Sequence, residues 1–283
     1  MISIIAVIVR IISNSLSNVF QKRLTQCGMN SLSVNCYTYI GLSLICLFFV
    51  NHITEITTPV LINAIAGGIF GAAGNYFLIK ALSRGDLSVL GPINAYKPLT
   101  AMIFAILLAG EIPSIAGILG VVLLIVGSYI IFSTTREGFS LELFKRKDIR
   151  YRIFALVLTA IEAVFIKNVI SNSDVLTSFT LWSFFGAFFA AILQAKHKIK
   201  FKFPDKSSLL KLIFVITFAG IMQYSTNIVF ERMNVSYALA LFQLSAVLNV
   251  ILGWKIFKEK DLIKKLAGSI IMVSGAIIII ISH

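Results

Sequence analysis

The sequence predicts an all-α integral membrane protein of ten transmembrane helices, arranged as two inverted five-helix repeats. Three observations predict it: the chain is too apolar for water, its apolar residues fall into ten runs of spanning length, and its two halves align. Of the 283 residues, 58% are hydrophobic and 13% charged, with a mean hydropathy of +0.93. A soluble domain carries about 45–50% apolar and about 25% charged residues. The 23 phenylalanines suit helix faces turned to lipid.

A helix needs about 20 mostly apolar residues to cross the hydrocarbon core. Such runs lie near 2–24, 32–50, 60–82, 87–109, 113–132, 152–171, 175–194, 210–231, 237–257 and 265–282. They are continuously apolar rather than alternating, which selects helices over a β-barrel. The opening MISIIAVIVRIIS lacks a basic leader and a small-residue cleavage site, so it is expected to be a retained first span. Connections are short except at 133–151 and 195–209. The first of these divides the chain into repeats 1–136 and 152–283, with a basic loop 137–151 between them.

An offset of 148 lays residues 84–131 on 232–279 without a gap. Arg84 then meets Arg232, Ser88 meets Ser236, Glu111 meets Glu259, Gly120 meets Gly268 and Gly127 meets Gly275. In the first helices an offset of 145 sets Phe20 and Lys22 on Phe165 and Lys167, and Gly41 on Gly186. A unit of five spans is odd, so its second copy must enter the membrane upside down. Inverted repeats are a transporter architecture, with the binding site near the midplane between the copies.

The net charge of +13 is not a nucleic-acid face. The basic residues collect between the apolar runs: Arg136, Lys145, Arg146, Lys147, Arg150 and Arg152; Lys196, Lys198, Lys200, Lys202, Lys206 and Lys211; Lys255, Lys258, Lys260, Lys264 and Lys265. They are read as cytoplasmic loops against anionic lipid headgroups, which puts both termini outside. The turn at Glu111 has no Lys or Arg and its counterpart at Glu259 has five, as opposite facings require. Cys27, Cys36 and Cys46 form no CxxC pair, and His52, His197 and His283 lie near span ends. No metal site, disulfide framework or cofactor is expected.

The Gly110-Glu111 turn follows Pro98, and a helix bearing Gly117, Gly120 and Gly127 comes next. The second half repeats these as Lys258-Glu259 with Gly268 and Gly275, Ala246 standing at the position of Pro98 and Lys258 at that of Gly110. Over essentially the whole chain, and most clearly over 81–132 and 229–280, this resembles the drug/metabolite transporter superfamily, specifically its EamA-type ten-helix members. The resemblance implies two inverted bundles around a central cavity, alternating access, and a small-metabolite, nucleotide-sugar or drug substrate. The expected setting is a bacterial inner membrane.

An ionisable group inside a span costs roughly 2.5–3.5 kcal/mol on insertion scales, so each is a functional candidate. Glu162 lies inside span 6 and Lys97 in span 4; Arg10 in span 1 is placed to snorkel. Arg10, Asn14, Ser17 and Gln21 share one helical face. Asn94 precedes Lys97 by three residues, and Pro98 is expected to leave the Asn94 carbonyl open. Thr159 lies three residues before Glu162, and Gln223 four before Asn227; span 9 offers Gln243, Ser245 and Asn249. Asn75 and Tyr76 align with Gln223 and Tyr224, whereas Lys97 aligns with Ser245 and Glu162 with Ser17.

The substrate-binding set is therefore Lys97, Glu162, Asn14, Asn75, Tyr76, Asn94, Gln223, Tyr224, Asn227 and Gln243. Lys97 is expected to take a carboxylate or phosphate, and Glu162 an amine or a proton. The bland reading is that Lys97 and Glu162 only neutralise each other. Tyr96 and Trp182 are further candidates to shape the cavity. Glu111 and Glu259 are expected to cap the helices that follow them, and the glycine series to allow close helix packing.

The function expected is secondary active export of a small polar metabolite such as an amino acid, by proton coupling or exchange. A lipid-linked carrier flippase and a lipophilic-cation exporter are the alternatives. No GxxxxGK[ST] run is present to hydrolyse ATP. A membrane-embedded enzyme lacks its usual convergent groups, and a structural subunit would leave the polar residues unexplained. One chain holds both repeats, so a monomer suffices, with a homodimer as the alternative.

Overall fold

Polar residues that can take the first free amides mark several helix starts. Asn30 accepts from Leu32 N at 2.9 Å, Ser114 from Gly117 N at 3.0 Å, and Asp174 from Leu176 N and Thr177 N at 2.7 and 2.9 Å. Each satisfies donors that a helix start otherwise leaves open. The computed structural model describes residues 2–52, 55–97, 100, 114–135, 140–201, 204–233 and 235–281.

The elements are α1 (Ile2–Gln26), α2 (Ser31–Cys46, continued by a 3-10 turn Leu47–His52), α3 (Thr58–Leu82), α4 (Leu87–Leu90, followed by a 3-10 turn Pro92–Tyr96) and α5 (Ile115–Phe132). Then come α6 (Leu141–Lys145), α7 (Lys147–Ser171), α8 (Val175–Lys196), α9 (Lys206–Arg232), α10 (Val235–Phe242), α11 (Ser245–Phe257) and α12 (Leu262–Ile281). Among the described residues there is no strand, and 8 helices are long and apolar enough to cross a membrane. These are α1, α2 with its extension, α3, α5, α7, α8, α9 and α12.

The remaining two expected spans are not single described helices. The run 237–257 is divided: α10 ends at Phe242, Gln243 and Leu244 form a turn, and α11 begins at Ser245. The run 87–109 begins as α4 and passes through Gly91 into the 3-10 turn. Its remainder at 101–109, together with Pro98, Gly110 and Glu111, lies outside the described residues. The Asn94 carbonyl, expected to be open, accepts the Lys97 amide and closes that turn. Under the 148-residue offset the Gln243–Leu244 turn falls on Ala95–Tyr96, so both halves leave α geometry at the same place. α7 begins at Lys147 rather than near 152, which carries Arg152 out of the loop and into a helix.

α1 packs along α9 and α3 along α7, while α2 meets α8 and α5 meets α12. By the sequence offsets α7 is the counterpart of α1, and α9 of α3. The pairings are those of a two-fold relation, in which a contact from one copy recurs from the other. The α5–α12 seam runs antiparallel and backbone meets backbone. An ideal Cβ on Gly120 would stand 2.7 Å from the Gly275 oxygen, and one on Gly127 2.6 Å from the Gly268 oxygen. Small residues permit this approach where lipid gives no hydrophobic drive to pack helices.

Glu259 does not cap the helix that follows it. Lys258 at φ 58 and Asp261 at φ 62 turn the chain sharply between α11 and α12. The Glu259 carboxylate lands instead on the first amides of α4 in the other half, accepting Leu87 N at 2.8 Å and Ser88 N at 2.9 Å. Lys22 Nζ reaches the same carboxylate at 2.9 Å and the Gly85 carbonyl at 2.9 Å. Lys265, expected among headgroups, is buried and donates to Ser88 Oγ at 2.9 Å. Burial raises the Glu259 pKa, but the Lys22 charge and the Ser88 donors outweigh it and hold the carboxyl below its usual 4.5.

Candidate functional site: a charged cavity between the two halves

A cavity of about 130 Å³ is lined from both halves of the chain. α1 contributes the stripe foreseen from its spacing, Arg10, Asn14, Ser17 and Gln21, and α3 contributes Gly71 and Asn75. The broken fourth helix of the first half supplies Gly91, Asn94 and Lys97. From the second half come Arg152, Thr159 and Glu162 on α7, Trp182 on α8, Gln223 on α9, and Ser245 and Asn249 on α11.

Of the ten expected binding residues, Asn14, Asn75, Asn94, Lys97, Glu162 and Gln223 line this cavity. Gln243 stands behind Asn94, whose Nδ2 donates to Gln243 Oε1 at 3.1 Å. Asn227 is buried behind Gln223, the two side-chain amides 3.0 Å apart. Tyr76 and Tyr224 do not line it: Tyr76 accepts from Lys80 Nζ, and Tyr224 packs its ring edge-on against Phe179. Tyr96 is likewise outside the lining.

Glu162 and Lys97 are not joined. Trp182 Nε1 donates to Glu162 Oε1 at 2.6 Å. Gly71 leaves the room for that carboxylate, since a Cβ there would stand 2.3 Å from Glu162 Oε1. Lys97 is 8% exposed, and its side chain makes no hydrogen bond or ion pair among the described residues. Arg10, Arg152 and Glu162 are all close enough to act on its charge.

Sequence reasoning missed Arg152 and Asn35 and misplaced the side chain of Arg10. Arg152 was counted with the loop bases, yet it is 7% exposed and its Nε donates to the Leu90 carbonyl at 2.8 Å, bracing the end of α4. The signal was its spacing: Arg152, Leu156, Thr159 and Ala163 share one face of α7. Arg10 is 9% exposed rather than snorkelling, with its guanidinium 4.0 Å over the Phe242 ring at the end of α10. Asn35 is fully buried, accepts from Asn75 Nδ2 at 2.7 Å and donates to the Ala72 carbonyl at 2.9 Å, fixing the Asn75 amide. Nothing local in the sequence marks it.

Helices of spanning length, two related halves and a polar cavity between them are the features of a multi-pass membrane protein. The family model described as the EamA-like transporter family matches twice, over residues 1–133 and 149–281. The chain belongs to that family, within the drug/metabolite transporter superfamily. One crystal structure, described only as that of a protein, has the same fold, with a TM-score of 0.68 at 16% identity over 98% of this chain and 95% of the other. No curated protein sequence matches.

Proposed function

We propose that this chain is a secondary active transporter that exports a small polar metabolite, an amino acid or a related compound, by alternating access. The observation that carries the reading is the cavity itself: unpaired charge and several amides converge between two copies of one unit. Ten spans in two inverted repeats, in a bacterial inner membrane, complete the proposal. The antiparallel α5–α12 seam supports inversion, because those helices are repeat counterparts and run in opposite directions.

Substrate contact is assigned to Lys97 and Glu162, with Asn14, Asn75, Asn94 and Gln223 as hydrogen-bonding partners. Gln243 and Asn227 position Asn94 and Gln223. The absence of a direct Lys97–Glu162 bond favours binding over mutual neutralisation. A cavity of about 130 Å³ is of the order that admits a benzene-sized molecule, which favours a small solute over a lipid-linked sugar. Its basic lining disfavours a lipophilic cation. A proton and exchange remain the two candidate modes of coupling.

The test is a thermal-stability screen of purified protein in detergent against amino acids, amines, nucleotide sugars and lipophilic cations. A ligand of the native state raises apparent stability by about RT ln(1 + [L]/Kd). Wild type is expected to respond to one class of small polar solute, and folded Lys97→Ala and Glu162→Gln variants to lose that response. Variants that respond like wild type would make the two charges structural.

A further inference from the structure

Among the described residues, three cations, Arg10, Lys97 and Arg152, line the cavity against one carboxylate, Glu162. Each of the three is at least nine-tenths buried. Arg152 is partly engaged with the Leu90 carbonyl. Arg10 is not: its Nε and Nη1 are buried without a hydrogen-bond partner among the described residues, although the Phe242 ring below supports its charge. A zwitterion would leave that positive excess in place. A buried charge is tolerated when paired and hydrogen-bonded, and among the described residues no other lining side chain pairs Arg10 or Lys97.

The lining also holds acceptors in need of donors. Gln21 Oε1 and Asn249 Oδ1 are buried without a partner, on opposite halves of the chain and both facing the cavity. A ligand that completes the site therefore brings anionic groups for Arg10 and Lys97 together with an O–H or N–H for these amides and Glu162.

Resting on the transporter reading above, we infer that the substrate is a small organic dicarboxylate carrying a donor group, of the hydroxy- or amino-dicarboxylate class. Arg10 and Lys97 each take one carboxylate. The hydroxyl or ammonium between them donates to Glu162, Gln21 or Asn249. Arg10 is the residue that separates two-carboxylate from one-carboxylate substrates.

The experiment uses the full chain in detergent, with malate and glutamate compared against lactate, alanine and putrescine at fixed pH and ionic strength. Malate or glutamate is expected to stabilise wild type at concentrations at least about tenfold lower than lactate or alanine. Arg10→Gln is expected to erase that preference, because one of the two charge contacts is lost. Arg10→Lys, which keeps the charge with fewer donors, serves if the glutamine variant does not fold, and is expected to retain part of the preference. Equal or stronger stabilisation by alanine or putrescine overturns the inference. So does a dicarboxylate preference that neither Arg10 variant alters. Exchange of the stabilising compound across proteoliposomes tests the transporter reading separately: a dicarboxylate that binds and is not exchanged sinks that reading and leaves the site assigned.

Discussion

Gly71 is the residue against which the Glu162 carboxylate lies. Adding one methyl there would place it 2.3 Å from Glu162 Oε1 and 3.1 Å from Trp182 Nε1, so the carboxylate must move. Gly71→Ala should cost about 1–3 kcal/mol of stability by overpacking while weakening the ligand response by more than about tenfold. Thermal titrations of the folded variant read both effects, and an unchanged response would detach the Trp182–Glu162 bond from binding. Glu259 gives a second test with a sign. Its folded-state pKa is held down, so the stability it contributes is fully present above 4.5 and is lost as pH falls through the lower folded value. Removing one member of such a buried pair costs roughly 3–5 kcal/mol. Glu259→Gln should lower apparent Tm at neutral pH and flatten its fall in mild acid, and a variant with the wild-type acid limb would rule this out. What the sequence offered at this scale was the stripe Arg10, Asn14, Ser17 and Gln21, because a helix repeats its face. Lys22 was not readable: its partner is 237 residues away, and only the fold brings the two together.

Lys258 shows how an element can hide its own boundary. It occupies the position of Gly110 in the first half, and its φ of 58 is the left-handed conformation for which glycine is suited after a helix end. A non-glycine residue there costs about 1–2 kcal/mol, partly offset by the greater freedom of glycine in the unfolded chain. Lys258→Gly should therefore raise stability by about 1 kcal/mol, read as a higher apparent Tm; a fall would mean that the lysine side chain contributes more than its backbone costs. The break between α10 and α11 was equally concealed, because 237–257 reads as one apolar run. Gln243 sits at the interruption and returns its Nε2 to the Leu239 carbonyl at 2.7 Å. A backbone group freed inside a membrane helix is tolerated when a neighbour satisfies it in this way. In sequence, one glutamine among apolar residues marks a polar position and does not say that the helix stops.

At the scale of the whole molecule, the 148-residue offset made the duplication legible before any coordinates, and the family match falls on both halves. The facing of the two copies is the part that spacing alone does not decide. Cys27 lies exposed just after α1, while Cys36 and Cys46 are buried; its counterpart under the 145-residue offset is the exposed Asn172, just after α7. In cells carrying a chain with Cys36 and Cys46 replaced, a membrane-impermeant thiol reagent should label Cys27 only after permeabilisation. With Cys27 also replaced, Asn172→Cys should be labelled on intact cells. Labelling of both from one side would refute inverted repeats.

The pairing of α1 with α9 and of α3 with α7 is the pattern two identical chains would make about a two-fold axis. In such an ancestor every charge would occur twice, and on the inverted-repeat, alternating-access reading proposed above its two facings would be copies of one another with equal free energy. Fusion into one chain allows Lys97, Glu162, Arg10 and Arg152 to occur once each. The clasp of Lys22 on Glu259 then need not match its counterpart around Lys167. Each unshared charge lifts the degeneracy by a fraction of its own interaction energy, and about 1.4 kcal/mol of difference is a tenfold bias in resting populations. On that reading, which way the empty protein faces becomes a property that point mutations can tune, independently of what it carries.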